Sequence, residues 1–407
     1  MKLVGVVAEY NPFTLGHAHH LAEARRISGA DGVVVVMSST FVQRGAPALL
    51  SPHARAEMAL QCGADAVLAL PVMWSVREAE WFAMGAVSLL HQAGVEALSF
   101  GTETNQPAMM QDVAQLLEHP PEPFRQLVRH GMDQGRRHPQ SLALAAEQLL
   151  PGAGNLLSTP NSTLGICYLR ALIRLGSSME ICPVPRQSDY HSNCIQAPLP
   201  SATALRKAVQ EGAFADVQQA MPPAAYEILQ RERNRHRIMP SGGLDQAMMY
   251  RLRIMKPADF LGLPGISEGM ENLLIKQLTR AADFSSLMAL LQTRRYPAAR
   301  FRRMCTHSLL GITSRDLETS PLPGAAHLLG FRSPAVLREI SRRGLPLYTN
   351  PKKIPHSPPW VRVEERGYDV WTLGIGGAPG MMSTASAVTP HDLQSAPEAP
   401  SQAHQQD

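Results

Sequence analysis

Along the first hundred residues the hydrophobic pattern switches between two periods. Residues 2–8 and 32–37 are short apolar runs rich in valine, the pattern of strands covered on both faces of a sheet. Residues 66–70 and 97–100 repeat it. Between these runs the spacing becomes helical. Leu21, Ala24 and Ile27 share one face of residues 16–28, Ser51-Pro52 opens a segment reaching Cys62, and residues 76–91 run up to Gly94. Ser before Pro at a helix start and Gly past a helix end are the expected punctuation. Strand and helix in alternation predict a parallel, doubly wound sheet whose ligands lie beyond the carboxyl ends of its strands.

Residues 106–150 are helical in pattern and carry Arg125, Arg129, Arg136 and Arg137, an insertion placed to rim such a site. A helix is expected from Ser158-Thr159-Pro160-Asn161 through Leu175, a strand over 179–184, and another helix start at Ser201. After about residue 225 the alternation stops. Residues 244–255, 270–278, 284–291 and 300–310 are short helical patterns, and 325–341, around Leu328-Leu329-Gly330-Phe331, reads as one more helical unit. The predicted organisation is therefore a catalytic α/β region over 1–225, a mainly α-helical region over 226–345, an extended segment over 346–380, and a tail over 381–407. That tail is Ser, Ala, Gln and Pro with few large apolar residues, so it is expected to be disordered.

The composition is that of a soluble globular protein, with 44% apolar and 18% charged residues in 407. No apolar run has the length of a membrane helix, and residues 1–8 lack the layout of a signal peptide, so a cytoplasmic location is expected. Five scattered cysteines make a disulfide framework unexpected, and Cys182, His191 and Cys194 lack the second pair a zinc site needs. No metal ligand set is assigned. The net charge of +4 matters less than its distribution. Arg231, Arg233, Arg235, His236 and Arg237 form one cluster; Arg294, Arg295, Arg300, Arg302 and Arg303 form another, interleaved with Tyr296 and Phe301. Guanidinium groups pair with phosphates and aromatics stack on bases, so RNA is the partner these clusters favour over a merely solvated face.

The chemistry concentrates after the first strand, in Ala8-Glu9-Tyr10-Asn11-Pro12-Phe13-Thr14-Leu15-Gly16-His17-Ala18-His19-His20. A strand, a polar turn and a helix start form a phosphate-binding layout, because the first helical amides carry unpaired donors and the positive end of the dipole. Thr14-Leu15-Gly16-His17 fits the Thr/His-x-Gly-His signature of nucleotidylyltransferases, in which the imidazole stabilises charge on an attacked α-phosphate. Ser201-Ala202-Thr203 with Arg206 offers hydroxyls, amides and a cation to a departing pyrophosphate. Ser201 is equally read as an ordinary N-cap, Asn161 as a helix-start residue and Gly101 as a turn glycine.

Beyond these motifs, Ser39-Thr40-Phe41-Val42-Gln43-Arg44-Gly45, Ala79-Glu80-Trp81-Phe82-Ala83, Phe100-Gly101-Thr102-Glu103, Pro160-Asn161-Ser162-Thr163 and Gly269-Met270-Glu271-Asn272 follow in order. Together they resemble the bacterial tRNA(Met) cytidine acetate ligase family over most of residues 1–345. The resemblance implies a Rossmann-like (HUP-type) nucleotidylyltransferase domain followed by the helical region. Its activity would be ATP-dependent formation of acetyl-adenylate, then acetyl transfer to N4 of the wobble cytidine of elongator tRNA(Met). It implies ATP, with Mg²⁺, held by Val7, Ala8, Glu9, Tyr10, Asn11, Pro12, Phe13, Thr14, Leu15, Gly16, His17, His20, Gly101, Asn161, Arg186, Ser201, Thr203 and Arg206. His17 and Thr14 would be catalytic, and Arg233, Arg235, Arg294, Arg295, Arg300 and Arg302 would contact RNA.

Two departures stand out: Thr14 takes the place usually held by His in this family, and Pro185 that of a Lys before Arg186. Two other functions stay open on the residues alone. One is a nucleotidylyltransferase of cofactor synthesis acting on a small phosphate ester; the other is a non-catalytic nucleotide- or RNA-binding protein.

Overall fold

The computed structural model describes residues 1–186, 200–267, 269–293 and 296–394. Its centre is a seven-stranded sheet of β1 (Leu3–Ala8), β2 (Gly32–Ser38), β3 (Ala66–Leu70), β4 (Ala97–Thr102), β5 (Glu180–Pro185), β6 (Ala326–Phe331) and β7 (Leu347–Tyr348). The spatial order is β5-β4-β1-β2-β3-β6-β7. β1 to β5 are mutually parallel, β6 is antiparallel to β3, and β7 is parallel to β6. The strand order reverses between β1 and β4, which opens a crevice at their carboxyl ends.

The valine run of β2 is buried along its whole length. Val34 and Val36 join Leu68 and Leu70 in the core on one side of the sheet, while Val33 and Val35 join Val67 and Ala69 on the other. Period-two alternation thus feeds two cores, and each valine removed from water stabilises by about 1.5–3 kcal/mol. A third apolar core, around Leu252, Phe260, Leu274, Phe284, Leu287, Phe301 and Met304, belongs to the helices after residue 244.

Those helices dock on the loop after β2. Gly45, at φ +81°, meets the backbone of Arg302 and Arg303, where an added Cβ would lie 2.8 Å from the Arg303 nitrogen. Only glycine fits that approach. Thr306 also donates to the Gly45 carbonyl (2.6 Å), and His307 Nε2 lies 2.6 Å from the Val76 carbonyl.

The predicted strands and helices of the first 185 residues are present, with one shift. The helix expected over 76–91 is instead a short turn, Val72–Ser75, and a helix Ala79–Gln92. The insertion forms three helices, Pro107–Glu118, Glu122–Asp133 and His138–Leu149.

The carboxyl-terminal reading needs correction. Ala326–Phe331 is a strand, not a helix, because its run of apolar residues completes the edge of β3. Arg332 behind it pairs with Asp65 (2.8 Å). Residues 326–331 therefore belong to the sheet, while the second half of the expected helical unit is present as the helix Pro334–Arg342. Within the segment expected to be extended lies the helix Pro359–Gly374, which buries Trp360, Tyr368 and Trp371. Of the tail, Met381–Thr384 and Pro390–Gln394 are helical and Val388 bridges Gly330, so this part is ordered by the sheet it covers. Residues 395–407 lie outside the described residues, as do His191 and Cys194.

Candidate active site

The turn after β1 is buried: Tyr10, Asn11, Phe13 and Thr14 are all under 5% exposed. It leads into the helix Leu15–Ser28, whose N-cap is Thr14. The Thr14 hydroxyl accepts from the His17 amide (3.3 Å), and the Thr14 amide donates to His17 Nδ1 (3.1 Å). This reciprocal capping box spends Nδ1 as an acceptor. The neutral ring therefore carries its proton on Nε2, as a donor. Tyr10 and Phe13 flank the ring at centroid distances of 4.9 and 5.6 Å. Burial, with the positive charges of Arg186 and His20, pushes the His17 pKa down to about 3. His17 is thus a neutral donor near pH 7.

Neighbouring elements close around this helix start. His20 lies 3.1 Å from Ser99 of β4, and burial followed by Arg186 and His19 lowers its pKa to about 4. Arg186 continues β5 by donating its amide to Thr102 (2.8 Å). Its side chain passes over Gly101, where a Cβ would sit 3.4 Å from Arg186 Cγ. Gly101 is therefore a strand residue that gives room to an arginine, not a turn.

On the other flank, Ser201 caps the helix Ala202–Glu211 by accepting from Ala204 (3.1 Å). Arg206 reaches back to donate to the Asn11 carbonyl and to Thr203 Oγ1 (3.0 Å). The Asn11 side chain accepts from the Leu49 amide (2.7 Å). Val7, Ala8, Glu9, Pro12, Leu15 and Gly16 belong to the same strand, turn and helix start. Asn161 stands apart chemically. Its amide nitrogen and backbone donate to Glu103 Oε1 (2.7 and 2.9 Å), and Ser162 supplies two more hydrogen bonds to Oε2. Burial pushes the Glu103 carboxyl up, but these four bonds outweigh it and hold the pKa below the usual carboxylate range. The helix Pro160–Leu175 thus already holds an anion of its own.

Arg55 was not singled out by sequence, yet it fixes the geometry of the site. Fully buried, it donates to the carbonyls of Glu9 (2.6 Å), Ser38 (2.9 Å), Ser39 and Leu50 (3.1 Å). One guanidinium therefore ties the turn after β1 to the loop after β2. Its only signal in the sequence is an arginine in a helix otherwise rich in alanine. Behind it, Glu364 accepts from Ser39 Oγ and the Val72 amide (2.7 Å), and burial raises its pKa to about 7 despite those bonds.

The basic clusters are partly committed inside the protein. Arg231 is held by Glu57 (2.7 Å) and Glu232, and Arg300 donates twice to the Gly265 carbonyl. Arg233 stacks on Phe214, Arg235 lies 3.7 Å from Glu232, and Arg302 faces Phe284 at 5.9 Å. Arg294 and Arg295 lie outside the described residues.

A parallel sheet with a strand-crossing crevice, a capped histidine at the first helix start and arginines on both flanks define a nucleotidyltransferase of the HIGH class. Residues 1–374 match the family model described as HIGH Nucleotidyl Transferase. Within that class the chain belongs to the tRNA(Met) cytidine acetate ligase family. It is 34% identical to tRNA(Met) cytidine acetate ligase of Geobacillus sp. (strain WCH70), over 88% of this chain and 91% of that one. With tRNA(Met) cytidine acetate ligase of Acetivibrio thermocellus it shares 35% identity over 82% and 83% of the two chains. The crystal structure of Thermotoga maritima TmcAL bound with alpha-thio ATP matches with a TM-score of 0.87 and 26% identity, covering 96% of this chain and 99% of that one. The apo form of the same protein gives a TM-score of 0.90 at 25% identity, with the same coverage.

Proposed function

We propose that this chain activates acetate with ATP and transfers the acetyl group to N4 of the wobble cytidine of elongator tRNA(Met). In the first step an acetate oxygen attacks the α-phosphorus of ATP and pyrophosphate leaves. In the second the cytosine amine attacks the acetyl carbon, AMP leaves, and the amine loses a proton. Displacement at phosphorus depends mostly on positioning and charge stabilisation. His17 Nε2–H, with the Gly16 amide of the helix start, faces the α-phosphate; Arg206, Thr203 and the helix behind Ser201 take the departing pyrophosphate, and Arg186 approaches from β5.

Thr14 acts through His17. Its capping contacts fix the ring and its tautomer, so the missing first histidine costs a donor but not the placement of the second. Asn161 is engaged by Glu103 through its amide nitrogen, which leaves its role toward the nucleotide to its oxygen. Mg²⁺ enters with the triphosphate. No helix among the described residues is long and apolar enough to cross a membrane; a tRNA substrate would put this work in the cytoplasm.

The observation that carries this reading is the His17 capping box inside a family of acetate ligases. The test incubates purified chain with labelled acetate, ATP, Mg²⁺ and elongator tRNA(Met), beside His17→Ala. Label should enter the tRNA only with ATP and intact His17. Absence of both label and acetate-dependent pyrophosphate would overturn the proposal, and pyrophosphate released by a small phosphate ester instead would favour a cofactor-synthesis enzyme.

A further inference from the structure

Arg77 and Trp81 stand out because the adenylation chemistry uses neither. Arg77 is 8% exposed, yet among the described residues its side chain makes no ion pair and no hydrogen bond, and its Nε is sealed from solvent without a partner. Burial lowers its pKa and the Glu78 carboxylate offsets only part of that cost, so an anion at the guanidinium edge would be favoured. Its guanidinium lies 4.6 Å from the ring centre of Trp81 and 5.3 Å from that of Trp74. Trp81, on the first turn of Ala79–Gln92, is 41% exposed, whereas Trp74 is buried with its indole N–H unpartnered.

The place is as informative as the chemistry. The Arg77 carbonyl accepts from Gln43 Nε2 (2.8 Å), and the Gln43 amide donates to Glu9 (2.7 Å) in the turn after β1. On the other side, Glu78 lies 3.7 Å from Arg303 on the helix Ala298–Leu309, which also carries Arg300 and Arg302. The pair therefore sits where the nucleotide site meets the basic helix.

We propose that Trp81 and Arg77 form a platform for one unpaired nucleotide of the RNA substrate, its base on the Trp81 indole and its phosphate at the Arg77 guanidinium edge. A guanidinium stacked on indole keeps its N–H edge for planar or tetrahedral oxyanions. An exposed indole offers a face that any splayed base can cover. One nucleotide supplies both an anion and a flat aromatic face; an acidic peptide supplies only the anion. This inference rests on the tRNA reading above and names where on the catalytic region the RNA is held.

The test uses full-length protein and measures affinity for elongator tRNA(Met) by filter binding, with acetate-dependent pyrophosphate exchange as a parallel assay. Trp81→Ala should weaken tRNA binding about tenfold, the effect of losing one base–aromatic stack, while Trp81→Phe stays within about threefold of wild type. Exchange should stay at the wild-type rate in both, which shows that each variant is folded. Unchanged tRNA affinity in Trp81→Ala, or equal weakening in Trp81→Phe, would overturn the platform. If wild type binds tRNA but never acetylates it, the catalytic reading fails while the binding comparison still decides the platform.

Discussion

Two helix starts face the same crevice, and they treat negative charge in opposite ways. Leu15–Ser28 begins at Thr14 with a neutral histidine whose Nδ1 is spent on the Thr14 amide, leaving Nε2–H as its donor. Pro160–Leu175 begins at Asn161 and Ser162, whose donors already hold Glu103. Both starts have the dipole that favours an anion. At the first, Leu15 donates to the Ala220 carbonyl and the His17 amide to Thr14, so the Gly16 amide and the His17 Nε2–H are the donors left for a ligand from outside. A helix start near a sheet edge is therefore a phosphate site only when no carboxylate of the chain itself has filled it.

The sharpest break of this contrast is His17→Ala. Loss of one preorganised donor should lower the acetate-dependent adenylation rate by about 10²–10³, measured as pyrophosphate exchange, whereas Asn161→Ala should leave the turnover number within about tenfold and act mostly on the Michaelis constant for ATP. Equal losses in the two would mean that both starts serve the reacting phosphates. Next in size is Arg206→Ala, which removes a pyrophosphate partner and the tie to Asn11; the exchange rate should fall about 10- to 100-fold, the range of a lost charge-assisted contact. Glu103→Gln should cost about 1–3 kcal/mol of stability in urea unfolding, since one charged acceptor of four bonds becomes neutral, with a smaller effect on chemistry.

A separate prediction concerns pH. Glu364 has a folded-state pKa raised to about 7, above the unfolded value near 4.5. Below pH 4.5 both states are protonated and the group is neutral to stability. As pH rises the unfolded state loses its proton first, so Glu364 lowers stability between about 4.5 and 7 and holds that deficit above. Glu364→Gln should flatten that part of the melting-temperature profile relative to wild type. A parallel shift at every pH would sink the assignment.

The first 185 residues declared their architecture because β2 and β3 are short apolar runs buried along their whole length and the helices after β1 and β2 carry side-chain caps, Thr14 and Ser51. The anion turn was legible for the same local reason. β6 was not, since Ala-His-Leu-Leu-Gly-Phe has no alternation to separate strand from helix, and only the open edge of β3 makes it a strand. The ordered part of the tail was missed likewise: Val388 gains its place from Gly330, far back in the chain.

What the sequence determined by itself was local: the strand–turn–helix at Thr14 to His17, the caps, the two valine-lined faces and the family to which they belong. Tertiary structure alone decided which donors stay available. Glu103 filled one helix start, Thr14 set the tautomer of His17, Arg55 locked two loops together, and Arg231 and Arg300 were drawn into internal contacts. Local pattern fixes what a residue can offer. Which offer is already taken depends on partners distant in sequence, because hydrogen bonds and charges are satisfied by proximity in space and not by order along the chain.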